Sequence, residues 1–275
     1  MKIPAYSVVL LAIASSPAQE KQSLAKLVDA ISPSIVTVRV VAEITMPAMM
    51  GGEKQESKQE MLGTVVDKSG IVLVPTSSLD PGAQMNMMFG GEAEVESTVT
   101  SLKVVIGNEA KELMAKVVAK DDKLGFSYVQ ITELGDRTLV PLSFAQKGEV
   151  DIGTPVYSVR RLAEAYDFAP VLGRNEVAGR IKKPRSAWAL EGSAETSSPV
   201  FTADGVLCGV VATIESTGHG GEDRSMMMRM FGGGGGSSMA FMVSPQVAAN
   251  SIAQAVEAAG KAAEKATGEK GGDGK

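Results

Sequence analysis

Short runs of β-forming residues, each closed by a turn signal, fill the chain from about residue 34 to residue 243 and leave no room for helices between them. In order they read SIVTVRVVAEI, GTVVDKSGIVLV, STVTSLKVVIGNEAKELMAKVVA, FSYVQI, TPVYSV, EVAGRI, SPVFTADGVLCGVVATI and MAFMV. Turns at 67–70 (DKSG), 107–108 (GN) and 203–205 (ADG) separate runs at the spacing of β-sandwiches and barrels. No helical pattern alternates with the strands, so a parallel α/β sheet is disfavoured. With 275 residues, the chain can build one large domain or two small ones that share a core.

Helices are expected only at the two ends. In residues 22–32, Leu24, Leu27, Val28 and Ile31 fall on one helical face, and Pro33 stops the run. Near the other end, Ser244 reads as an N-cap with Pro245 at the first helical position. Ala248, Ile252, Ala255, Val256 and Ala259 then form an apolar stripe. Past Gly260 the composition turns to Ala, Lys, Glu and Gly, and residues 261–275 read as a disordered tail.

Lys2, the apolar run Val8–Ala14 and the small residues Ser16 and Ala18 have the layout of a secretory signal, with cleavage expected after Ala18. That run is too short to span a bilayer, and no other segment approaches spanning length. The lone cysteine, Cys208, lies in the apolar stretch VLCGVVATI and reads as a small buried side chain. A single cysteine gives no internal disulfide, so packing must hold the fold. Basic residues are scattered and the net charge is −5, which argues against nucleic-acid binding. The densest basic group, Arg180, Lys182, Lys183 and Arg185, reads as a solvated loop.

Three stretches depart from any strand or helix period: 46–60, 84–94 and 219–239. Most of the fifteen methionines lie in them, beside glycine runs. They are read as loops outside the core.

Four blocks, in order, resemble the Deg/HtrA-type trypsin-like serine proteases. LAKLVDAISPSIVTVRV is similar to that family's entry helix and first strand. GTVVDKSGIVLVPTSSL is similar to its histidine block, AKVVAKDDKLGFSYVQI to its aspartate block, and AETSSPVFTADGVLCGV to its G-N-S-G-G-P nucleophile block. SSMAFMVSPQVAANSIAQAV is similar to its last strand and final helix. The resemblance covers roughly residues 22–258. It implies an all-β fold, a chymotrypsin-like double β-barrel with an N-terminal helix and a C-terminal helix. The implied organisation is a signal peptide (1–18), a helix (19–33), a first barrel (34–145), a second barrel (146–244) and a closing helix (245–260). No PDZ domain is expected.

The same resemblance locates the catalytic positions. The histidine position falls on Ser77, the aspartate position on Gly125 and the nucleophile position on Thr196. The oxyanion-loop glycines fall on Ala194, Ser197 and Ser198. A hydroxyl cannot replace the imidazole that moves the proton, a glycine cannot orient a base, and an unassisted threonine is a poor nucleophile. No catalytic residue is therefore expected, and no cofactor. Substitutes are few. His219 is the chain's only histidine. Lys182 and Lys183 would need an unforeseen loop path to form a Ser-Lys dyad, and Asp121 or Asp122 would have to swing inward.

The function implied is a secreted pseudoprotease that binds a polypeptide or a protein partner between the barrels or along an exposed sheet edge. No nucleic acid and no membrane span enter into it, and any oligomer would use the barrels and their loops. Met85, Met87, Met88, Met226, Met227, Met228 and Met230 are the candidate rim of such a site, since methionine suits adaptable apolar surfaces. One alternative is an active serine endopeptidase with a non-standard site built around His219. Another is a Cu(I)-binding protein using Met46, Met49, Met50, His219 and the other methionine clusters, whose thioethers suit that ion.

Overall fold

A computed structural model describes residues 17–47, 51–89, 95–109, 111–214 and 240–269. Twelve strands form two closed antiparallel barrels of six. The first contains β1 (Ile35–Thr45), β2 (Lys54–Val65), β3 (Ile71–Pro75), β4 (Glu96–Ile106), β5 (Glu112–Asp121) and β6 (Phe126–Ile131), ordered β1-β2-β3-β6-β5-β4. The second contains β7 (Pro155–Arg161), β8 (Pro170–Ile181), β9 (Ala187–Gly192), β10 (Pro199–Phe201), β11 (Leu207–Ala212) and β12 (Ala240–Val243), ordered β10-β11-β12-β9-β8-β7. The expected chymotrypsin-like double barrel is what forms.

Period-2 patterning decides what fills each barrel. Val36, Val38, Val40, Val72, Val74, Val104 and Val129 point into the first, and Val156, Val177, Leu190, Val200, Val211 and Met242 into the second. The opposite faces of the same strands meet across the seam between barrels. There Leu73, Phe126 and Tyr128 pack with Val210, Ala212 and Val243. Ile35 packs with Tyr157, Val159 and Phe201.

Helix α1 (Pro17–Ile31) closes one end of the seam through Leu27 and Ile31, as its stripe requires. Where it joins β1, the half-buried Arg161 donates to three main-chain carbonyls: Ile35 at 2.6 Å, Ser32 at 2.7 Å and Phe168 at 3.0 Å. Burial lowers its pKa, yet the chain ends around it satisfy the guanidinium.

The C-terminal helix lays Ala248, Ile252, Ala255 and Ala259 on the seam, the stripe read from sequence. It does not stop at Gly260, however, but runs from Pro245 to Glu269. The residues past the glycine are strong helix formers, and a Glu257–Lys261 pair at i,i+4 bridges the position. We number this helix α3, because an unexpected helix precedes it.

That helix, α2 (Pro81–Met88), overturns part of the loop reading of 84–94. Asp80 Oδ1 accepts from the Ala83 amide at 3.0 Å, capping a helix that starts on proline. Asn86 then exchanges two hydrogen bonds with the Val95 main chain, at 2.8 and 2.9 Å. The loop reading of 46–60 is also corrected. Its second half is the exposed start of β2, paired with β1 from Thr45↔Lys54 onward. Residues 219–239 lie outside the described residues. Among the described residues no helix is long and apolar enough to cross a membrane.

Candidate functional site

The three positions singled out by sequence lie along one line of main-chain contacts at the seam. Ser77 sits exposed in a short 3-10 turn, Thr76–Leu79, that follows β3. Its neighbour Thr76 donates its amide to the Gly125 carbonyl at 2.9 Å. Thr76 Oγ1 also pairs with the fully buried Ser127 hydroxyl at 2.9 Å. The Ser77 turn is thus tied to the turn that carries Gly125.

Gly125 closes that second turn at a φ of +67°, with its amide donating to the Asp122 carbonyl at 3.2 Å. Glycine is the residue that adopts this conformation without a steric cost. A second reason for glycine is the space around it. A Cβ placed there would overlap Thr213 Oγ1 and come within 2.8 Å of Thr213 Cβ. Thr213 is held by its own amide, which donates to the Leu124 carbonyl at 2.9 Å. The volume that a side chain at residue 125 would occupy belongs to Thr213, one residue past the end of β11.

From Thr213 the line continues back along β11 to the third position. The Val211 carbonyl accepts from the Ser197 amide at 2.7 Å, and the Val211 amide donates to the Ser198 carbonyl at 2.9 Å. Thr196 is half-buried in the turn between β9 and β10. Ser197 has a φ of +69°, a left-handed conformation that a serine side chain resists. Its hydroxyl is buried and makes no hydrogen bond. Ala194 is anchored by its amide, which donates to Oδ1 of the buried Asn175 at 2.9 Å. Asn175 is a functional-site scaffold residue that sequence reading missed. Its one signal was an asparagine inside a β-type stretch.

No imidazole stands at the seam among the described residues. His219 lies outside them, as do Met49, Met50, Met226, Met227, Met228 and Met230 and the side chains of Met87 and Met88. Met46 and Met85 are described, and both pack on the small apolar cluster of Ile44 and Val95. Asp121 is engaged by the C-terminal helix and bonds to neither Ser77 nor Thr196. It accepts from Ser251 Oγ of α3 at 2.7 Å, and Ser251 accepts from Tyr128 at 2.8 Å. Burial pushes the Tyr128 phenol up to about 12, so the phenol keeps its proton at neutral pH. Lys182 and Lys183 are exposed between β8 and β9 and bond to none of Thr196, Ser197 or Ser198. Cys208 is buried under the second barrel, and desolvation raises its thiol to about 11, which leaves it unreactive.

A groove of about 350 Å³ opens between the barrels, lined at one end by Glu195, the residue before Thr196. Met61, Leu62, Leu162 and Ala163 give it apolar walls, and Arg160 and Glu195 place opposite charges on it. Above it, Arg39 joins the barrels. Its guanidinium donates to Glu112 at 2.6 Å, to Glu164 of the second barrel at 2.6 Å and to Glu60 at 2.9 Å, and it lies 5.4 Å from the Phe168 ring centre. Lys103 also bonds to Glu112 at 2.6 Å, and Lys103 with Arg39 holds that carboxyl below its ordinary range.

No family model matches the chain, and no curated protein resembles it in sequence. Among solved structures, it is similar to the crystal structure of the Rv3671c protease from M. tuberculosis in its active form. The TM-score is 0.52 at 16% identity, and the alignment covers 92% of this chain and 93% of that one. A likeness at this identity shows the fold alone: the double barrel of trypsin-like proteases.

Proposed function

We propose that this chain is an exported, Deg/HtrA-type member of the trypsin-like fold that holds a polypeptide or partner protein without cutting it. The observation that carries the reading is the filled space at Gly125. A triad needs a carboxylate there to hold an imidazole, and Thr213 takes that volume instead. The side chains at and beside the other two positions are hydroxyls: Thr76, Ser77 and Ser127 near one, Thr196 and Ser197 at the other. None has the pKa to act as a general base near neutral pH. The groove between the barrels, which Glu195 also lines, has apolar walls and carries Glu60, Glu195, Arg160 and Arg161, a lining suited to an extended peptide.

The test is a paired cleavage and capture assay on the full chain with unfolded casein. Intact casein that is retained in a pull-down, and released by Met61→Asp or Leu162→Asp in the groove, supports the reading. Cleavage that vanishes in Thr196→Ala overturns it. Casein neither cut nor held removes the groove as the binding site. Export is checked separately, by the N-terminal sequence of the secreted chain beginning at Gln19.

A further inference from the structure

The first barrel is closed, but β2 takes little part in the closure on one side. It has twelve residues, and only Thr64 and Val65 pair with β3, opposite Leu73 and Val72. On the other side, β1 pairs with β2 continuously from Lys54 to Thr64. Among the described residues, the outer edge of β2 from Lys54 to Gly63 therefore has no strand beside it. A row of unmet amides and carbonyls on such an edge is a template for a further strand.

The sequence along this edge reads Lys54-Gln55-Glu56-Ser57-Lys58-Gln59-Glu60. Turned end for end about Ser57, it matches itself in opposite charges. Lys54 comes to lie opposite Glu60 and Glu56 opposite Lys58, each twice by symmetry. Gln55 lies opposite Gln59, and Ser57 meets its own copy. Neighbouring symmetric registers do not have this property. Centring on Glu56 or on Lys58 sets like charges against each other, and centring between residues pairs no opposite charges at all. All four charged side chains project from one face of the sheet. Lys54 bonds to Glu43, Glu56 to Lys58 and Glu60 to Arg39 there, all residues of that same outer face. Directly opposed residues on one face of an antiparallel pair are the ones that interact.

We propose that the β2 edge, Lys54–Glu60, is a self-recognition surface at which a second copy of this chain adds antiparallel about a two-fold axis at Ser57. The charges that ordinarily protect an edge from pairing here admit a second copy, and the Ser57-centred register makes four opposite-charge pairs where centring on Gln55 or Gln59 makes two. The contact is isologous and closes at two copies, so it does not propagate into a fibre. It continues the six-stranded barrel of each copy into a shared sheet, and its last residue, Glu60, also lines the groove between the barrels. The proposal is independent of whether that groove binds peptide.

Sedimentation equilibrium of the full chain tests it, with three variants at exposed positions. Glu56→Lys places lysine against Lys58 at two symmetric points. It is expected to weaken the dimer at least about tenfold, with two attractive pairs turned repulsive. Lys58→Glu alone is expected to do the same. The Glu56→Lys/Lys58→Glu double variant restores opposite charges in the same register and is expected to recover the wild-type constant. Circular dichroism of each variant checks that the fold is unchanged. A chain that stays monomeric up to about 100 µM overturns the proposal, as does a dimer that the single reversals leave intact. Loss in the single variants without recovery in the double variant overturns the register, and with it the proposal.

Discussion

Two turns are tied to β11 and the residue that follows it, one at 121–125 and one at 193–198, and they meet the same backbone demand in opposite ways. Each needs a residue with positive φ. The first supplies glycine, and a threonine from the opposite barrel fills the space left over. The second supplies Ser197, which resists the conformation and buries a hydroxyl with no partner. The first turn packs a neighbour into the space beside its glycine, whereas the second keeps a strained geometry with a side chain that does not suit it. A protease would need the reverse: a carboxylate at the first turn and unhindered amides at the second.

The largest effect should come from forcing a side chain back into the first turn. Gly125→Asp should destabilise the protein by about 2–3 kcal/mol, from overlap with Thr213 and the left-handed backbone. Thr213→Gly in the same chain should recover a good part of that loss. Chemical denaturation of the two single variants and the double variant reads the coupling. Additive losses would mean that Thr213 does not fill the space.

The second turn should respond with the opposite sign. Ser197→Gly removes the strained side chain and the orphan hydroxyl together, and should stabilise by about 1–2 kcal/mol despite glycine's greater freedom when unfolded. A neutral or destabilising result would place Ser197 in an unstrained, satisfied setting and erase the contrast between the turns.

A site away from both turns sharpens the comparison through pH. The Glu112 carboxyl is held low first by Lys103 and then by Arg39. Its contribution is therefore complete above its unfolded pKa, about 4.3, and is lost as pH falls through the lowered folded value. Partly exposed, it should amount to about 1 kcal/mol. Glu112→Gln should remove that much at pH 7 and flatten the acid limb, while Gly125→Asp/Thr213→Gly and Ser197→Gly should leave the limb's position alone. The smallest effect belongs to Ser77→Ala. The side chain is exposed, and its loss should move stability by less than about 0.5 kcal/mol. A larger shift would mean that Ser77 engages groups that the fold does not bring to it.

Much of this was legible in the sequence, because strand period and turn chemistry are local. The valines of β1 and β3 alternate, the stripe from Ala248 to Ala259 has helical spacing, and both patterns land on the surfaces they bury. The departures have two causes: at Asp80-Pro81 and Gly260 composition masks local chemistry, and at the start of β2 a long-range pairing overrides it. Asp80-Pro81 is a helix start, but it was hidden by the methionines that follow. The KQESKQE run has no apolar alternation, and only the ladder offered by β1 makes it a strand. Gly260 reads as a stop, although helix formers stand on both sides of it. The candidate site was legible only as absences at Ser77, Gly125 and Thr196. What fills them depends on residues far away in sequence. Thr213 reaches Gly125 and Asn175 anchors Ala194 through contacts that no local pattern encodes.

The central claim of the proposal is that the described residues at the seam supply neither an activated nucleophile nor a base. Fluorophosphonate labelling of the full chain at neutral pH, read by intact mass and peptide mapping, addresses both at once. The account predicts no adduct on Thr196, Ser197, Ser198 or Ser77, and a mass unchanged from the untreated protein. A stoichiometric adduct on Thr196, lost in Thr196→Ala, would show an activated hydroxyl with a base behind it and would contradict the account.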